Sequence, residues 1–490
     1  MKKIILTALP SALNIRKKRN LVLMIFGLIS TTFMIQTVSA KSSKPNFVFF
    51  LVDDFGWASI SAMGDEFLET PNIDKLAKSG MQFTNGYAAC TVCSPSRAAI
   101  LTGAYPGRTK LTDWIPGHNK YIRKLLIPDW QKYMDHERIL LPEALKENGY
   151  TTNFIGKWHL LSRSAPNYKT HYPEGHGFDI NIGGREWGQP KGKGKYFHPF
   201  GMPNVTSKEG DYLTDRLTDY AVDLVEKNKE NPFLIYFSYY TVHSPIQGKP
   251  ELVEKYTKKK NGNVKKFKEY NPSYAAMVQS LDESVGRVLA KLDETGLRDN
   301  TYILFTGDNG SGKNLYTGGL KGAKAKAHEG GTREVYLISG PGIKAGGKSD
   351  VPVIGTDFYP TMLDLAGLPL KPDQHQDGVS LKAILTEGGS IKERSLFWHY
   401  PHYHKTKPYG AIRSGDWKLI EFFEDGKLEL YNLKEDQGEQ HNMAESHPEK
   451  ATALLKEMQQ WRKDVDAQEM TLNPEYTPTA KPILKKANKK

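Results

Sequence analysis

The chain has 490 residues, 39% hydrophobic and 25% charged, enough apolar sequence for a large folded core and too polar for a chain built of membrane spans. Its net charge is +12, and six of those charges (Lys2, Lys3, Arg16, Lys17, Lys18 and Arg19) fall in residues 1–40, which carry no acid. The remaining basic excess accompanies no nucleic-acid motif, so no nucleic-acid partner is expected, and two cysteines in so long a chain exclude a disulfide scaffold.

Residues 1–40 read as a secretory leader: a basic stretch to Arg19, an apolar run from Leu21 to Ile29, and small residues at Val38, Ser39 and Ala40 for cleavage. A retained membrane anchor is the alternative. Cleavage leaves an exported chain, periplasmic or secreted, with no stable membrane insertion, since no other stretch reaches spanning length. No cysteine lies near the cut, which argues against a lipoprotein.

Beyond the leader, short apolar runs alternate with amphipathic segments. This predicts an α/β fold: a large mixed, mostly parallel sheet with helices on both faces. Four runs read as buried strands: 46–52, 152–155, 232–237 and 301–305. Each is followed at once by polar groups, and ligand sites in open α/β sheets form beyond the carboxyl ends of strands. After the first come Asp53 and Asp54; after the last come Asp308, Asn309 and Gly310. Either group alone is an ordinary strand-end turn. Together they make an all-oxygen cage for a hard divalent cation. Lys157 and His159 follow the second strand, and His243 follows the third. Lys321 sits in the glycine-rich stretch 318–322, where it is either a ligand contact or a solvated charge.

Between the first and second strands lies Cys93-Ser94-Pro95-Ser96-Arg97, followed by the apolar residues 98–101 and Thr102-Gly103. Ser94 then Pro95 predicts a helix start, with Ser94 as the cap. Cys93 then sits at the positive end of a helix, with Arg97 one turn on. Cys90 and Cys93 imitate a redox spacing, but with no second pair a zinc or thioredoxin-type site is not supported.

Residues 274–295 predict the clearest helix, with Met277, Leu281, Val285, Val288 and Leu292 as a core stripe and Gly296 ending it. The stretch 185–205, with Trp187, Phe197 and His198, has the composition of a lid. Lysines between 258 and 268 form a basic patch. Composition shifts near 371–393, and beyond it short antiparallel strands are predicted around 411–413, 417–423 and 428–431, with a turn at Glu424-Asp425-Gly426 and a helix over 448–465. The expected organisation is therefore a catalytic domain over 41–390, a smaller C-terminal α+β subdomain over 391–468, and a loose basic tail over 469–490. His399, His402 and Arg413 in the subdomain are candidates for reading the substrate; the same aromatic and histidine cluster also fits an interdomain core.

The Cys93, Pro95, Arg97 pattern with its Leu101-Thr102-Gly103 ending resembles the signature of the type I sulfatases, Cys-x-Pro-x-Arg, within the alkaline-phosphatase-like superfamily. The resemblance extends over roughly 46–467 and takes in Thr70-Pro71-Asn72-Ile73-Asp74. It implies that Cys93 is oxidised to formylglycine by a formylglycine-generating or anaerobic sulfatase-maturating enzyme. It also implies Ca2+ held by Asp53, Asp54, Asp308 and Asn309. One hydroxyl of the hydrated aldehyde attacks sulfur while Arg97, Lys157 and Lys321 stabilise the sulfuryl charge. His243, with Lys321, protonates the departing oxygen, and His159 helps the second hydroxyl expel sulfate. The implied substrate is a sulfated carbohydrate, with exo action on a sulfated galactose, GalNAc or GlcNAc. A phosphonate monoester or phosphodiester hydrolase of the same superfamily, and an inactive relative that binds sulfated polysaccharide, are the alternatives. Thr91 and the 321–329 loop depart from the common pattern.

Overall fold

In the computed structural model, residues 44–117, 121–312 and 315–478 are described. The leader expected over 1–40 and the end of the expected tail, 479–490, lie outside the described residues.

An eight-stranded sheet organises the chain. In spatial order its strands are Gly347–Ser349, Met81–Phe83, Tyr336–Ser339, Thr301–Gly307, Asn46–Val52, Phe233–Ser238, Thr151–Gly156 and Ile180–Ile182. From Thr301–Gly307 to Ile180–Ile182 all neighbours are parallel, whereas Tyr336–Ser339 runs antiparallel to both its neighbours. The four apolar runs read from the sequence are the four adjacent central strands. That position explains their composition: a strand covered on both faces needs no polar alternation. Asn46–Val52 is buried at every residue. Val48, Phe50 and Val52 face one core, which also holds apolar residues of helices Leu213–Lys227 and Pro272–Glu294. Phe47, Phe49 and Leu51 face the other, with residues of helices Leu141–Lys146 and Phe358–Leu365.

The Pro272–Glu294 helix buries its whole predicted stripe, Met277, Leu281, Val285, Val288 and Leu292, with no exposed surface on any of them. Each such side chain contributes roughly 1.5–3 kcal/mol by leaving water. Asn271 caps its start by accepting from the backbone N–H of Ser273 and Tyr274, and Pro272 occupies the first turn. Its end is a Schellman turn. Gly296, at φ +68°, donates to Asp293 O, and Leu297 donates to Leu292 O at 2.9 Å.

A second, four-stranded antiparallel sheet follows: Leu396–Tyr400, Tyr409–Ser414, Trp417–Phe422 and Leu428–Asn432, each paired with the next. The expected turn joins the last two, with Gly426 N–H donating to Phe422 O at 2.8 Å. Helix Pro448–Asp464 packs Ala451, Leu454 and Met458 against Ile412, Leu419 and Leu430. This sheet belongs to the same compact unit as the large one. Thr471–Leu472 pairs with Leu125–Leu126.

The three C-terminal candidates for reading a substrate are placed as structural groups. His399 is 5% exposed, and its Nε2 bonds to Gln468 O at 2.8 Å. His402 Nε2 meets Thr112 Oγ1 at 2.8 Å, with Asp113 Oδ2 3.7 Å from Nδ1. The Arg413 guanidinium lies over the Tyr87 ring and donates to its hydroxyl and to Gly415 O. Their strand and loop face inward to the body of the protein, so the polar atoms serve as internal ties.

Burial holds the His399 imidazole down to about 4, so it is neutral in the folded protein at pH 7. The unfolded chain binds a proton there near pH 6.5, and stability is therefore lost as pH falls from about 6.5 to about 4, by up to about 3 kcal/mol from this one group. His399→Gln is expected to flatten that part of the stability profile, as read from denaturant midpoints between pH 7.5 and 4.

Candidate active site

Strand register builds the site. Val52 pairs with Gly307, Leu51 pairs with Ser238, and Ser238 pairs with Gly156. The carboxyl ends of four strands are thus level, and the residues after them emerge side by side. Backbone bonds extend the order past the ends: Lys157 N–H donates to Ser238 O at 2.7 Å, Asp308 N–H to Val52 O at 2.9 Å, and Asp53 N–H to Thr241 O at 3.0 Å. Asp54 has φ +56°, a left-handed conformation that aspartate tolerates.

Helix Cys93–Thr102 enters from the other side. It starts at Cys93, two residues before the expected position, with Val92 in the cap position in place of Ser94 and no side-chain cap bond. Ser94 is not the cap: its hydroxyl donates to His159 O at 2.8 Å and accepts from Ile115 N–H. The serine therefore fastens the helix start to the two loops that hold His159. Ser96 closes the preceding loop, donating to Cys90 O at 2.8 Å and accepting from Cys90 N–H. Cys90 and Cys93 are both free and buried, and burial pushes the Cys90 thiol up to about 12, which leaves it inert.

Charges alternate across the buried floor. Lys157 Nζ donates to Asp53 Oδ2 at 2.6 Å, and Arg97 Nε to Asp308 Oδ2 at 2.8 Å. Arg97 Nη1 donates to Lys157 O and Ser238 Oγ, while Nη2 has no hydrogen bond among the described residues and lies 3.8 Å from Asp53 Oδ1. Asp54 Oδ1 accepts from Asn309 Nδ2 at 2.8 Å and from Lys324 Nζ. Burial raises the Asp53 and Asp308 carboxyls despite these cations, whereas Lys324 and His243 keep Asp54 well below the usual carboxylate range.

The arrangement fits a cation. Asp53 Oδ1 and Asn309 Oδ1 are buried and lack any hydrogen-bond partner among the described residues. Asp53, Asp54 and His243 each place a ligating atom within 4.8 Å of the others. Two orphaned oxygens beside three buried carboxylates suit a hard divalent ion.

His159 has φ +56°, and its Nδ1 is 3.3 Å from Cys93 Sγ. Nε2 bonds to the Ile115 carbonyl, so it carries the proton and Nδ1 presents its lone pair to residue 93. Burial, then Lys157, drives this imidazole well below its ordinary range. The 185–191 loop seats the ring: His159 N–H donates to Arg185 O, and a Cβ at Gly188 would lie 2.6 Å from His159 Cε1. His243 Nε2 is 3.7 Å from Asp54 Oδ2, and burial lowers it to about 3 although Asp54 pulls upward.

Cys93, Asp54, His159, His243 and Lys324 line one cavity of about 900 Å³, together with Trp114, Arg163, Trp187 and His404. Of the expected lid, Trp187 reaches this cavity; Phe197 instead packs on Tyr212 and His198 bonds to Ser207. Lysines 259 and 266 of the basic patch form ion pairs with Glu69 and Glu66.

Lys321 does not reach the cavity. Its Nζ bonds to Tyr431 OH at 2.8 Å and lies 3.7 Å from Glu429. Lys324, three residues on, takes the expected place. Its backbone is held by Ser311 O at 2.9 Å, and Ala325 N–H donates to Thr91 O at 2.8 Å. Burial of Ala325 and Ala327, small residues on either side of Lys326, is the trace this loop leaves in the sequence.

The sulfatase family model matches residues 45–368, and an N-sulphoglucosamine sulphohydrolase C-terminal model matches residues 324–468. The chain is 28% identical to a sulfatase of Formosa agariphila over 88% of its own length and 91% of that protein's. It is 32% identical to human N-acetylgalactosamine-6-sulfatase, covering 74% and 69% of the two chains. Among solved structures, Ps i-CgsB in complex with k-i-k-neocarrahexaose is similar at 29% identity and a TM-score of 0.71, over 86% of this chain and 93% of that one. With residue 93 at the head of its helix above a row of strand-end carboxylates, the chain belongs to the type I sulfatases of the alkaline-phosphatase-like superfamily, and it is a sulfuric ester hydrolase.

Proposed function

We propose that the chain releases sulfate from a sulfated glycan, acting exo on a sulfated galactose, GalNAc or GlcNAc unit, as an exported periplasmic or secreted enzyme. The observation that carries this reading is the Cys93–His159 contact at 3.3 Å on a cavity that also holds tryptophans and cationic side chains. A volume of about 900 Å³ accommodates a small sugar, aromatic faces stack on sugar rings, and charged groups bond hydroxyls and sulfate. Human N-acetylgalactosamine-6-sulfatase and the carrageenan-type oligosaccharide complex point the same way. No described helix is long and apolar enough to cross a membrane.

In the mature protein, a maturating enzyme of either type named above converts Cys93 to formylglycine, which supplies a hydrated aldehyde able to attack sulfur and then to release sulfate. Asp53, Asp54, Asp308 and Asn309 would hold Ca2+, which would supply positive charge to stabilise the sulfuryl group. Arg97 offers Nη2, which has no hydrogen bond among the described residues, to the anion, and Lys157 draws Asp53 toward its ionised form against burial. Lys324 stays protonated and faces the cavity beside Asp54. His159 Nδ1 accepts a proton at residue 93. His243 is neutral before substrate arrives; the negative ester raises its affinity for the proton that it then gives to the leaving oxygen.

In a host with a maturating enzyme, the peptide carrying residue 93 is expected to be about 18 Da lighter than its cysteine form, with sulfate released from members of a panel of sulfated monosaccharides. Cys93→Ala keeps the thermal midpoint within a few degrees and loses at least ~1,000-fold in kcat/KM; equal turnover by that variant would overturn the reading. Lys324→Ala is expected to lower kcat/KM by roughly 100- to 1,000-fold, and Lys321→Ala by no more than about threefold, because Lys321 is bound elsewhere. Chelation should abolish turnover, and Ca2+ at 100 times its Kd should restore about 2.7 kcal/mol of stability. Asp53→Ala and Asn309→Ala are expected to lose that Ca2+-dependent rise in calorimetry.

A further inference from the structure

Three histidines meet outside the cavity. His136, His171 and His176 each offer a ring nitrogen, and these atoms all lie within 4.8 Å of one another. The rings are stacked: the His136 centroid lies 4.7 Å from that of His171 and 4.6 Å from that of His176, at interplanar angles of 18° and 17°. His136 lies on the surface, while His171 and His176 are buried.

The hydrogen bonds decide which nitrogens are available. His171 Nε2 bonds to the Pro166 carbonyl at 3.1 Å, so it carries the N–H, and the buried Nδ1 makes no well-aligned hydrogen bond among the described residues, with the Met134 backbone as its polar neighbour. His136 Nε2 meets Thr170 Oγ1 at 3.2 Å, and that hydroxyl donates to Asn167 O, so it accepts from His136. The Nδ1 lone pair of His136 is thereby left over. A carbonyl or hydroxyl holding the far N–H is how ligating histidines are oriented in metal sites. His176 is fully buried, and neither of its ring nitrogens has a hydrogen bond among the described residues. Buried polar atoms in that state are uncommon in folded proteins and point to an absent partner.

We propose that His136, His171 and His176 bind a transition-metal ion of the zinc class, at a site separate from the Asp53, Asp54, Asp308 and Asn309 cage. Three imidazole nitrogens suit Zn2+, Co2+, Ni2+ or Cu2+ and are poor ligands for Ca2+ or Mg2+. Tetrahedral Zn–N bonds of about 2.0–2.1 Å place ligand nitrogens about 3.4 Å apart. The near-parallel rings must therefore turn so that their nitrogens converge on the ion, and the exposed His136 has the freedom to do so. Its exposure also gives the ion a route in and leaves the fourth position to water. Burial holds His176 down to about 3, so at neutral pH it is unprotonated and competent to ligate.

The site sits directly behind the reacting residues. Trp158 Nε1 donates to His171 O at 2.9 Å, and the Trp158 ring lies 5.8 Å from His176. Trp158 stands between Lys157 and His159 in the chain. An ion here joins the stretches around 136 and 171–176 and stiffens the support under that segment, which makes its role structural.

The test uses the full mature chain, stripped with chelator and reloaded with Zn2+ or Co2+ in the presence of excess Ca2+. One Zn2+ per chain retained through gel filtration, a rise in thermal midpoint, and the intense visible bands of tetrahedral nitrogen-ligated Co2+ are expected. His136→Ala, at an exposed position, should keep the metal-free midpoint and weaken Zn2+ binding by roughly 100-fold; Asp53→Ala should leave Zn2+ binding and the Co2+ bands unchanged. No retained Zn2+, retention unchanged in His136→Ala, or Zn2+ lost with Asp53→Ala would each overturn the proposal.

Discussion

Three carboxylates buried within reach of one another are the constraint around which the molecule is arranged. Asp53, Asp54 and Asp308 follow level strand ends, and each is matched by a different cation: Lys157, Lys324 and Arg97. Removing one partner of such a pair is far more damaging than the pair is worth, because a lone buried charge remains. Each cation arrives on a separate element. Lys157 ends a central strand, Arg97 rides on the helix that begins with Cys93, and Lys324 belongs to a loop. The strand order is therefore not only a scaffold; parallel neighbours with a common finishing level bring the acids and Lys157 together and leave Arg97 and Lys324 to be brought in from outside the sheet.

The Lys324 loop explains why the C-terminal sheet is fused to the body. Glu329, just beyond the loop, is fully buried and receives Lys418 Nζ at 2.8 Å, Tyr87 OH at 2.7 Å and Arg333 Nη1 at 3.2 Å. Lys418 comes from the C-terminal sheet and also meets Glu439 at 3.1 Å. On the other side, Thr91 Oγ1 pairs with Tyr409 OH at 2.7 Å while Thr91 O accepts from Ala325. The loop carrying Lys324 and the loop leading to Cys93 are thus braced by the same sheet. Trp398 adds a third tie, donating to Ala88 O at 2.8 Å. Thr91, a departure from the common family pattern, is accounted for by this hydroxyl bond.

What could be read in advance follows the range over which sequence period governs geometry. Asn46–Val52, Thr301–Gly307 and the Pro272–Glu294 stripe were legible because burial on two faces, or on one helical face, writes itself into every residue. The polar residues immediately past the strand ends were legible for the same reason, since a level sheet edge fixes them. Lys321 and Lys324 could not be separated that way. Both lie in an irregular stretch, and the glycines at 318, 319 and 322 announce turns without saying which lysine the turns deliver. His399 and His402 misled for a different reason. A histidine beside aromatic residues has the composition of a sugar-binding surface and equally that of a seam between sheets, and only the partners Gln468 and Thr112 distinguish them. Ser94 shows the limit at a single residue: its hydroxyl could accept from the N–H groups of the helix end or tie to distant loops, and it donates to His159 O and accepts from Ile115 N–H instead.

The electrostatics divide the labour among the groups on the cavity. The neighbouring carboxylates keep Arg97, beneath the cavity, and Lys324, on it, charged against the pull of burial, so they are poor at exchanging protons. His159 and His243 are pushed the opposite way by the same burial and by the neighbouring cations. They are neutral while the site contains only protein. An arriving sulfate ester brings negative charge, and its effect on a histidine is to raise proton affinity toward the ordinary range. In the proposed reaction the histidines would thereby become able to carry protons when substrate is present, at positions already fixed by Ile115 O and by Ser244 O. A lysine could not replace either one without losing that response, and a histidine at 324 could not keep Asp54 ionised as its own charge came and went.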